Sequence, residues 1–505
     1  MTHAASTSKH TSALPLVKRL SPPPDPWEAF QRLASLPYTI FFDSAAREPI
    51  RGRYSYICAS PFELLVSREG SIEVFQHADA GSLNGRYDRV LETTAQPLAF
   101  AKERFLPWRS PPVDSIPPFQ AGAAGYFGYS LARQFEAIGQ PKWNEFCVPD
   151  MVLGFYDWAL AFDHETESCF IVAHGYPETR PSARRSLAES QIQAVSEALR
   201  SDKVALPPPV SGPIRSADEL APSWEISEIE GLRSNFSKTD YLSAVERAIE
   251  HIRAGDIFQV NLSQRLLFPA KWSPLEHYRR LRACNPAPFA GYFHAGDHVL
   301  ASSSPEQFLS LDRGDIVTRP IKGTRPRGYA ALDDAYQGAA LFESEKDRSE
   351  NVMIVDLLRN DLSKVAEPGT VKVPRLFEIE RHPTVYHLVS EVHATLRPDN
   401  GAFDLLAASF PGGSITGAPK VRAMEIIAEL EPTNRGAYCG SLGWIGFDGG
   451  MNTSILIRTV TITGGWMQLP VGGGIVSLSR PEDEYRETLN KAAGMVRSLS
   501  SSDHT

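Results

Sequence analysis

"SKTDYLSAVERAIEHIRAGDIFQVNLSQRLLF", residues 237 to 268, sets a helix against a strand. Ser237 or Thr239 offers a side-chain oxygen to the free N–H groups of a helix start, and the apolar residues that follow recur at helical spacing. Gly255 marks the stop, since glycine takes the left-handed backbone that closes a helix at least cost. "IFQVNLSQRLLF" then reads as a strand. Downstream the two kinds of element continue to alternate. The pattern predicts a helix at 275–283, strands near 289–319, a helix at about 343–363 and a strand at 385–395. It continues with a helix at 419–430, strands over 437–475 and a terminal helix at 481–498. Such a chain is expected to be α+β or α/β, and no repeat of fixed period runs through it.

Upstream the character changes. From residue 27 to about 200, segments such as "YTIFFDSA", "RYSYICASPFELLVS", "MVLGFYDWALAFD" and "SCFIVAHGY" read as short strands between Pro- and Gly-rich turns. A helix-like stretch, "PSARRSLAESQIQAVSEALRS", closes this mostly β half, and "LPPPVSGPIRSADELAPSW" has the composition of a linker. The expected organisation is a flexible start over 1–26, a first region over 27–201, a linker over 202–228 and a second region over 229–498.

Composition excludes several classes of function. Lys plus Arg total 51 against 60 Asp plus Glu, a formal charge of −9 over 505 residues, so neither nucleic acid nor an anionic membrane is an expected partner. The five cysteines (Cys58, Cys147, Cys169, Cys284 and Cys439) are scattered and form no C-x-x-C, which argues against a disulfide framework or a thiolate metal site and fits a reducing cytoplasm. No apolar run reaches the roughly 18 residues of a membrane-spanning helix. The first twenty residues lack an apolar h-region; being Ser/Thr-rich and free of acids, they fit a frayed terminus or, as the alternative, an organelle transit peptide.

Four groups of residues and a single arginine could carry chemistry. "RPIKGTRPRG", residues 319 to 328, places Lys322 among Arg319, Arg325 and Arg327. In "ESEKDRSENVMIVDLLRNDL", residues 343 to 362, Glu343, Asp347 and Glu350 share one face of a predicted helix, and Glu350 adjoins an apolar run, where an acid needs a cation. In the terminal helix Glu484, Glu487 and Lys491 share a face, with Ser479 and Glu482 as a candidate capping box. Two helices that each offer a glutamate suit Mg²⁺, which takes one or two protein carboxylates and fills its octahedron with water and substrate oxygens. Three glycine-rich segments, 410–420, 439–450 and 471–477, could present backbone N–H groups to an anion, but no phosphate-loop or dinucleotide fingerprint is present. Arg458 lies on a predicted strand among apolar neighbours, and a buried guanidinium usually faces a carboxylate. A small dicarboxylic substrate is the expectation.

The segments "SPEQFL", "RPIKGTRPRG", "DRSENVMIVDLLRNDL", "PGGSITGAPKVRAMEII", "GSLGWIGFDGGMNTSILIRT" and "GGGIVSLSRPEDEYRETLNK" closely resemble the chorismate-utilising enzymes and, within them, the aminodeoxychorismate synthases. The likeness runs from about residue 235 to 497; "FFDSAAREPIRGRYS" and "AGAAGYFGYSLARQFE" extend it more weakly toward the start, with Ser130 where the family pattern has aspartate. It implies an anthranilate-synthase-like α+β fold, two β-sheets packed as a sandwich with helices outside, with an amino-terminal-like region over 27–201 and a chorismate-binding catalytic region over 229–498.

The resemblance also assigns roles. In the P-I-x-G-T motif anthranilate synthases typically have alanine where many aminodeoxychorismate synthases have lysine, so Lys322 favours amination of chorismate at C4. Water-activating relatives place a lysine where this chain has Gln259. Lys322 is then the nucleophile at C2, with nearby arginines and burial expected to keep its amine neutral, and Glu306 is the general acid/base. Glu350 and Glu487 match Mg²⁺ ligands, supported by Glu484. Thr324, Arg458, Gly473, Gly474 and Lys491 match substrate contacts, and His387 stands either near the C4 hydroxyl or as a buried structural histidine.

None of the cysteines lies on the G-x-C-x-G elbow of a glutaminase, so the resemblance implies free ammonia or a separate glutamine amidotransferase subunit forming a heterodimer. 4-Aminobenzoate and folate supply is the implied pathway. Relatives also hold tryptophan in the amino-terminal sandwich; the matching positions are Asp43, Ser44, Arg53, Tyr54, Ser55, Pro288 and Phe289, and Asp43 in place of glutamate leaves that ligand open. Two alternatives stand beside amination: an anthranilate synthase component I, and a non-catalytic regulatory protein that binds chorismate or tryptophan.

Overall fold

The helix and strand of 237–268 form as their sequence dictates. In the computed structural model, which describes residues 15–47, 51–79, 82–201, 206–226, 229–328, 330–382 and 385–499, the Ser237 hydroxyl accepts from the Asp240 N–H at 3.0 Å. The helix runs Lys238–Ala254 and ends at Gly255 with φ +85°. The strand Gln259–Pro269 follows and pairs antiparallel with Trp466–Ile475.

Among the described residues that strand belongs to a 13-stranded sheet, packed against a second sheet of 12. All the described strand pairings are antiparallel, and both sheets draw strands from both halves of the sequence. In the first, Ile40–Asp43 pairs with Tyr54–Cys58 on one side and with Phe289–His294 on the other. In the second, Gly122–Phe127 pairs with Met151–Tyr156 on one side and with Ser441–Gly446 on the other. Most of these strands are buried on both faces, so they read as apolar runs rather than alternations.

Rings from the two sheets meet between them: Tyr56 lies 6.0 Å from Trp444, and Tyr126 lies 6.2 Å from Phe293. The other face of the first sheet carries a second apolar cluster. Helices Pro26–Leu33, Pro181–Arg200, Pro274–Cys284 and Pro481–Arg497 cover it with Phe30, Leu33, Val195, Tyr278, Leu281 and Met495. This is the predicted α+β sandwich with helices outside.

Some local expectations need revision. Residues 1–14 lie outside the described residues, but Leu16–Leu20 is already a strand, paired with Ser168–Ala173. The expected helix at 343–363 is two helices, Ala331–Glu343 and Glu345–Ser363, separated at Ser344, whose hydroxyl accepts from the Asp347 N–H. Glu343 therefore ends one helix while Asp347 and Glu350 belong to the next, so the three do not share one helix face. The Ser479–Glu482 capping box does not form either: Arg480 is the cap residue, and the Ser479 hydroxyl donates to Glu484 at 2.5 Å.

Candidate active site

Lys322 lies on the strand Ile321–Pro326, part-buried, and its ammonium nitrogen donates to the Ser414 carbonyl at 3.1 Å. Ser414 sits in the glycine-rich loop 410–419, and its hydroxyl donates to Oε1 of Glu306 at 2.9 Å. Glu306 is buried in the break between the strands Val299–Ser304 and Gln307–Asp312. One residue thus joins the candidate nucleophile to the candidate acid.

Burial dominates both of these groups. It pushes the Glu306 carboxyl up, offset only in part by Ser414, Lys322 and Arg458. It pushes the Lys322 ammonium down; Glu350 and Glu306 oppose the shift and Lys491 adds to it. The neighbouring arginines are not among the leading causes, and each has its own partner. Arg319 pairs with Glu380 and Glu391, Arg325 with Asp347, and Arg327 with Asp334.

The glutamates converge from two helices onto the strand Trp466–Ile475. A Cβ at Gly473 would lie 3.4 Å from Glu484 Oε2 and 3.4 Å from Glu487 Oε1; one at Gly474 would lie 3.6 Å from Glu350 Oε2. The missing side chains of these two glycines leave the space that the carboxylates face. Burial pushes Glu350 up. It acts the same way on Glu487, but the ion pair with Lys491 at 2.7 Å outweighs it and holds that carboxyl below the usual range. Lys491 also donates to the Gly472 carbonyl at 3.0 Å. Glu350 Oε1 and Glu484 Oε2 are buried without a hydrogen-bond partner. Among the described residues no group of three or more His, Cys, Asp or Glu forms a ready-made metal cage. Orphaned carboxylate oxygens beside an open glycine strand nevertheless fit Mg²⁺, which needs few protein ligands.

Arg458 is in a bend between the strands Met451–Ile455 and Thr459–Thr463, with φ +50°, and not on a strand as its sequence suggested. Among the described residues it makes no ion pair, although its charge reaches Glu306. Its guanidinium is therefore available to a carboxylate from outside the chain. His387, buried on the strand Val385–Thr395, lies with Nδ1 2.9 Å from the Thr324 hydroxyl. Burial, His382 and Arg458 push it down to about 3, so it stays neutral. Gln259 is fully buried, with both side-chain polar atoms unpartnered, and its Nε2 would be 2.6 Å from a Cβ on Gly474.

Two participants were not expected from the sequence. Ser414 is one hydroxyl within a glycine-rich segment, and nothing in its neighbours marks it. Lys346, which lies 3.3 Å from Glu484 and 4.0 Å from Glu350, was signalled by its helical i, i+4 spacing to Glu350.

A second cluster gathers the positions matched to tryptophan. Asp43 is buried and accepts from Tyr278 at 3.0 Å and from Arg282 at 2.5 Å. The Ser44 N–H donates to the Ser55 hydroxyl at 3.1 Å, and the Ser44 hydroxyl donates to the carbonyls of Tyr54 and Pro288. Arg53 is engaged by both carboxylate oxygens of Asp163 and stacks over Tyr54, while Phe289 opens the strand paired with Ile40–Asp43. These residues come together, with the Asp43 carboxylate already satisfied by the chain's own donors.

The chain is similar to known proteins in both sequence and fold. The family model described as "chorismate binding enzyme" matches residues 72–497. The chain is 38% identical over 473 residues to aminodeoxychorismate synthase component 1 of Klebsiella aerogenes, covering 94% of this chain and 96% of that one. It is 39% identical over 407 residues to anthranilate synthase component 1 of Thermus thermophilus, covering 80% and 83%. The crystal structure of anthranilate synthase component I from Streptococcus pneumoniae TIGR4 superposes with a TM-score of 0.71 at 30% identity, over 89% of this chain and 93% of that one. A menaquinone-specific isochorismate synthase from Escherichia coli shares the fold, with a TM-score of 0.66 at 17% identity. A family match over most of the length, and relatives this similar across nearly their whole extent, mean that this chain belongs to the chorismate-binding enzyme family.

Proposed function

We propose that the chain aminates chorismate at C4 to give 4-amino-4-deoxychorismate, with ammonia supplied by a separate glutamine amidotransferase subunit. The observation that carries this reading is Lys322: a part-buried amine, pushed toward its neutral form and tied through Ser414 to a buried acid. A solvated basic turn requires none of these features.

In this reading the Lys322 amine attacks C2 of the ring, both ring double bonds shift (C1=C2 to C1=C6 and C5=C6 to C4=C5), and Glu306 gives its proton to the departing C4 hydroxyl, which leaves as water. Ammonia then attacks C4 and gives up a proton to Glu306, both double bonds return to their original places, and Lys322 is expelled from C2 as the amine. One ammonia is consumed, one water is released, and the enolpyruvyl group is retained. Arg458 and Lys491 orient the substrate carboxylates, and neutral His387 with Thr324 lines the C4 side. Glu350 and Glu487, with Glu484 behind them, would hold Mg²⁺, which when bound neutralises and orients the ring carboxylate.

The similarity to component 1 of anthranilate synthases favours a second reading, in which pyruvate is lost and an aromatic amine forms. One incubation separates the two: the chain with chorismate, ammonium and Mg²⁺, with pyruvate release and product mass followed together. An aminated product that retains the enolpyruvyl group, and is lost in Lys322→Ala, supports the first. Anthranilate with stoichiometric pyruvate supports the second. Turnover that requires glutamine and a glutaminase subunit would place ammonia delivery in the partner. No helix among the described residues is long and apolar enough to cross a membrane. A cytoplasmic setting is part of the proposal.

A further inference from the structure

We infer that Ser414 is a positioning residue that holds Glu306 and Lys322 as one hydrogen-bonded unit, through its hydroxyl to the first and its carbonyl to the second. The inference rests on the reading above, since it takes those two side chains as the reacting groups.

The loop that carries Ser414 is pinned on both sides. Arg435 donates to the Ile415 carbonyl at 3.0 Å, and the Asn261 N–H donates to the Thr416 carbonyl at 2.7 Å. Lys420, at the loop's far end, bonds Asp361 at 2.5 Å and the Ser409 carbonyl at 2.8 Å. Glu306 is fixed from the opposite side, its carbonyl accepting from the Ile455 N–H at 3.0 Å. Ser414 therefore bridges two rigid elements. Oε1 of Glu306 accepts from Ser414, and the Ile321 N–H also bonds the carboxyl group. With one N–H of Lys322 donated to the carbonyl, the remaining amine positions, including the lone pair of the neutral form, point elsewhere. The charged or titratable groups around Glu306 are Lys322, Arg458 and Cys439. Burial pushes the Cys439 thiol up to about 12, so it stays neutral.

The test compares the full chain with Ser414→Ala, Ser414→Thr and Ser414→Cys, using chorismate and ammonium. Loss of the hydroxyl in Ser414→Ala should lower kcat by about tenfold or more, the size of one hydrogen bond to a charged group. KM for chorismate should stay within about twofold. One limb of the kcat–pH profile should move to higher pH, because the carboxylate of Glu306 loses a donor. Ser414→Thr should restore both the rate and the limb. An unchanged rate, a lower rate with both limbs in place, or failure of threonine to rescue would each overturn the inference. If Ser414→Ala does not fold, Ser414→Cys keeps the size with a weaker donor and should show a partial fall and a partial shift; the absence of either overturns it equally. Failure of the functional reading appears separately, in the unaltered chain, as a product other than the C4-aminated one. The Ser414 comparison is a ratio between variants and is judged on whichever product forms.

Discussion

Lys322 is held in a place that an ammonium does not prefer. Burial lowers its affinity for a proton, so between its folded value and the ordinary 10.5 the unfolded chain binds more protons, and stability rises with pH through that window. Replacing it with an apolar side chain removes the cost. Lys322→Met should raise the melting temperature while abolishing amination, and the gain should be largest at pH below the folded value and shrink as pH approaches 10.5. A lower melting temperature would mean that its bond to Ser414 outweighs desolvation. Glu306→Gln keeps the shape and removes the proton, so kcat should fall about 10²- to 10⁴-fold in the chorismate and ammonium assay, with KM little changed. These two residues were legible in the sequence through motif likeness, whereas the cause of the lysine's shift was not. Proximity in sequence pointed to Arg319, Arg325 and Arg327, but each pairs with an acid that the chain brings from farther along.

At the scale of elements, the site depends on how helices start and on where a strand lacks side chains. The break at Ser344 sets the direction of the helix that carries Glu350, and Ser344 followed three residues later by Asp347 was a cap signal within the sequence. Reading 343–363 as one helix followed its helical periodicity, which continues across a break of one residue. Ser344→Ala should cost about 1 kcal/mol in denaturant unfolding, the ordinary value of a lost cap. Gly474→Ala would place a methyl 2.6 Å from the buried Gln259 amide and beside Glu350. Overpacking there should cost about 1–3 kcal/mol and raise the Mg²⁺ concentration needed for half-maximal rate. An unchanged Mg²⁺ response in a folded variant would separate the glycine strand from the metal. Arg458 shows the limit of pattern reading at this scale. Its apolar neighbours suggested a strand, yet the residue takes a left-handed backbone in a bend, which no periodicity reveals.

Across the whole molecule, the helices and strands were largely readable, because caps and apolar spacing are local. Their pairing was not, because both sheets join strands that are far apart in sequence. The linker near 202–228 separates two stretches of composition, yet each sheet crosses it. Residues 27–201 and 229–498 expressed as separate chains should therefore each lack cooperative unfolding by circular dichroism, and should regain it on mixing. Independent cooperative folding of either piece would show that the cross-sheet pairings add little. The same topology bears on synthesis. When the first half has emerged from a ribosome, Ile40–Asp43 and Gly122–Phe127 each present an unpaired, apolar edge whose partners, Phe289–His294 and Ser441–Gly446, have yet to be made. Such edges are templates for pairing with the wrong chain. The nascent protein is therefore most exposed to aggregation midway through translation, and a holdase acting in that interval should raise its soluble yield more than one added to the finished chain.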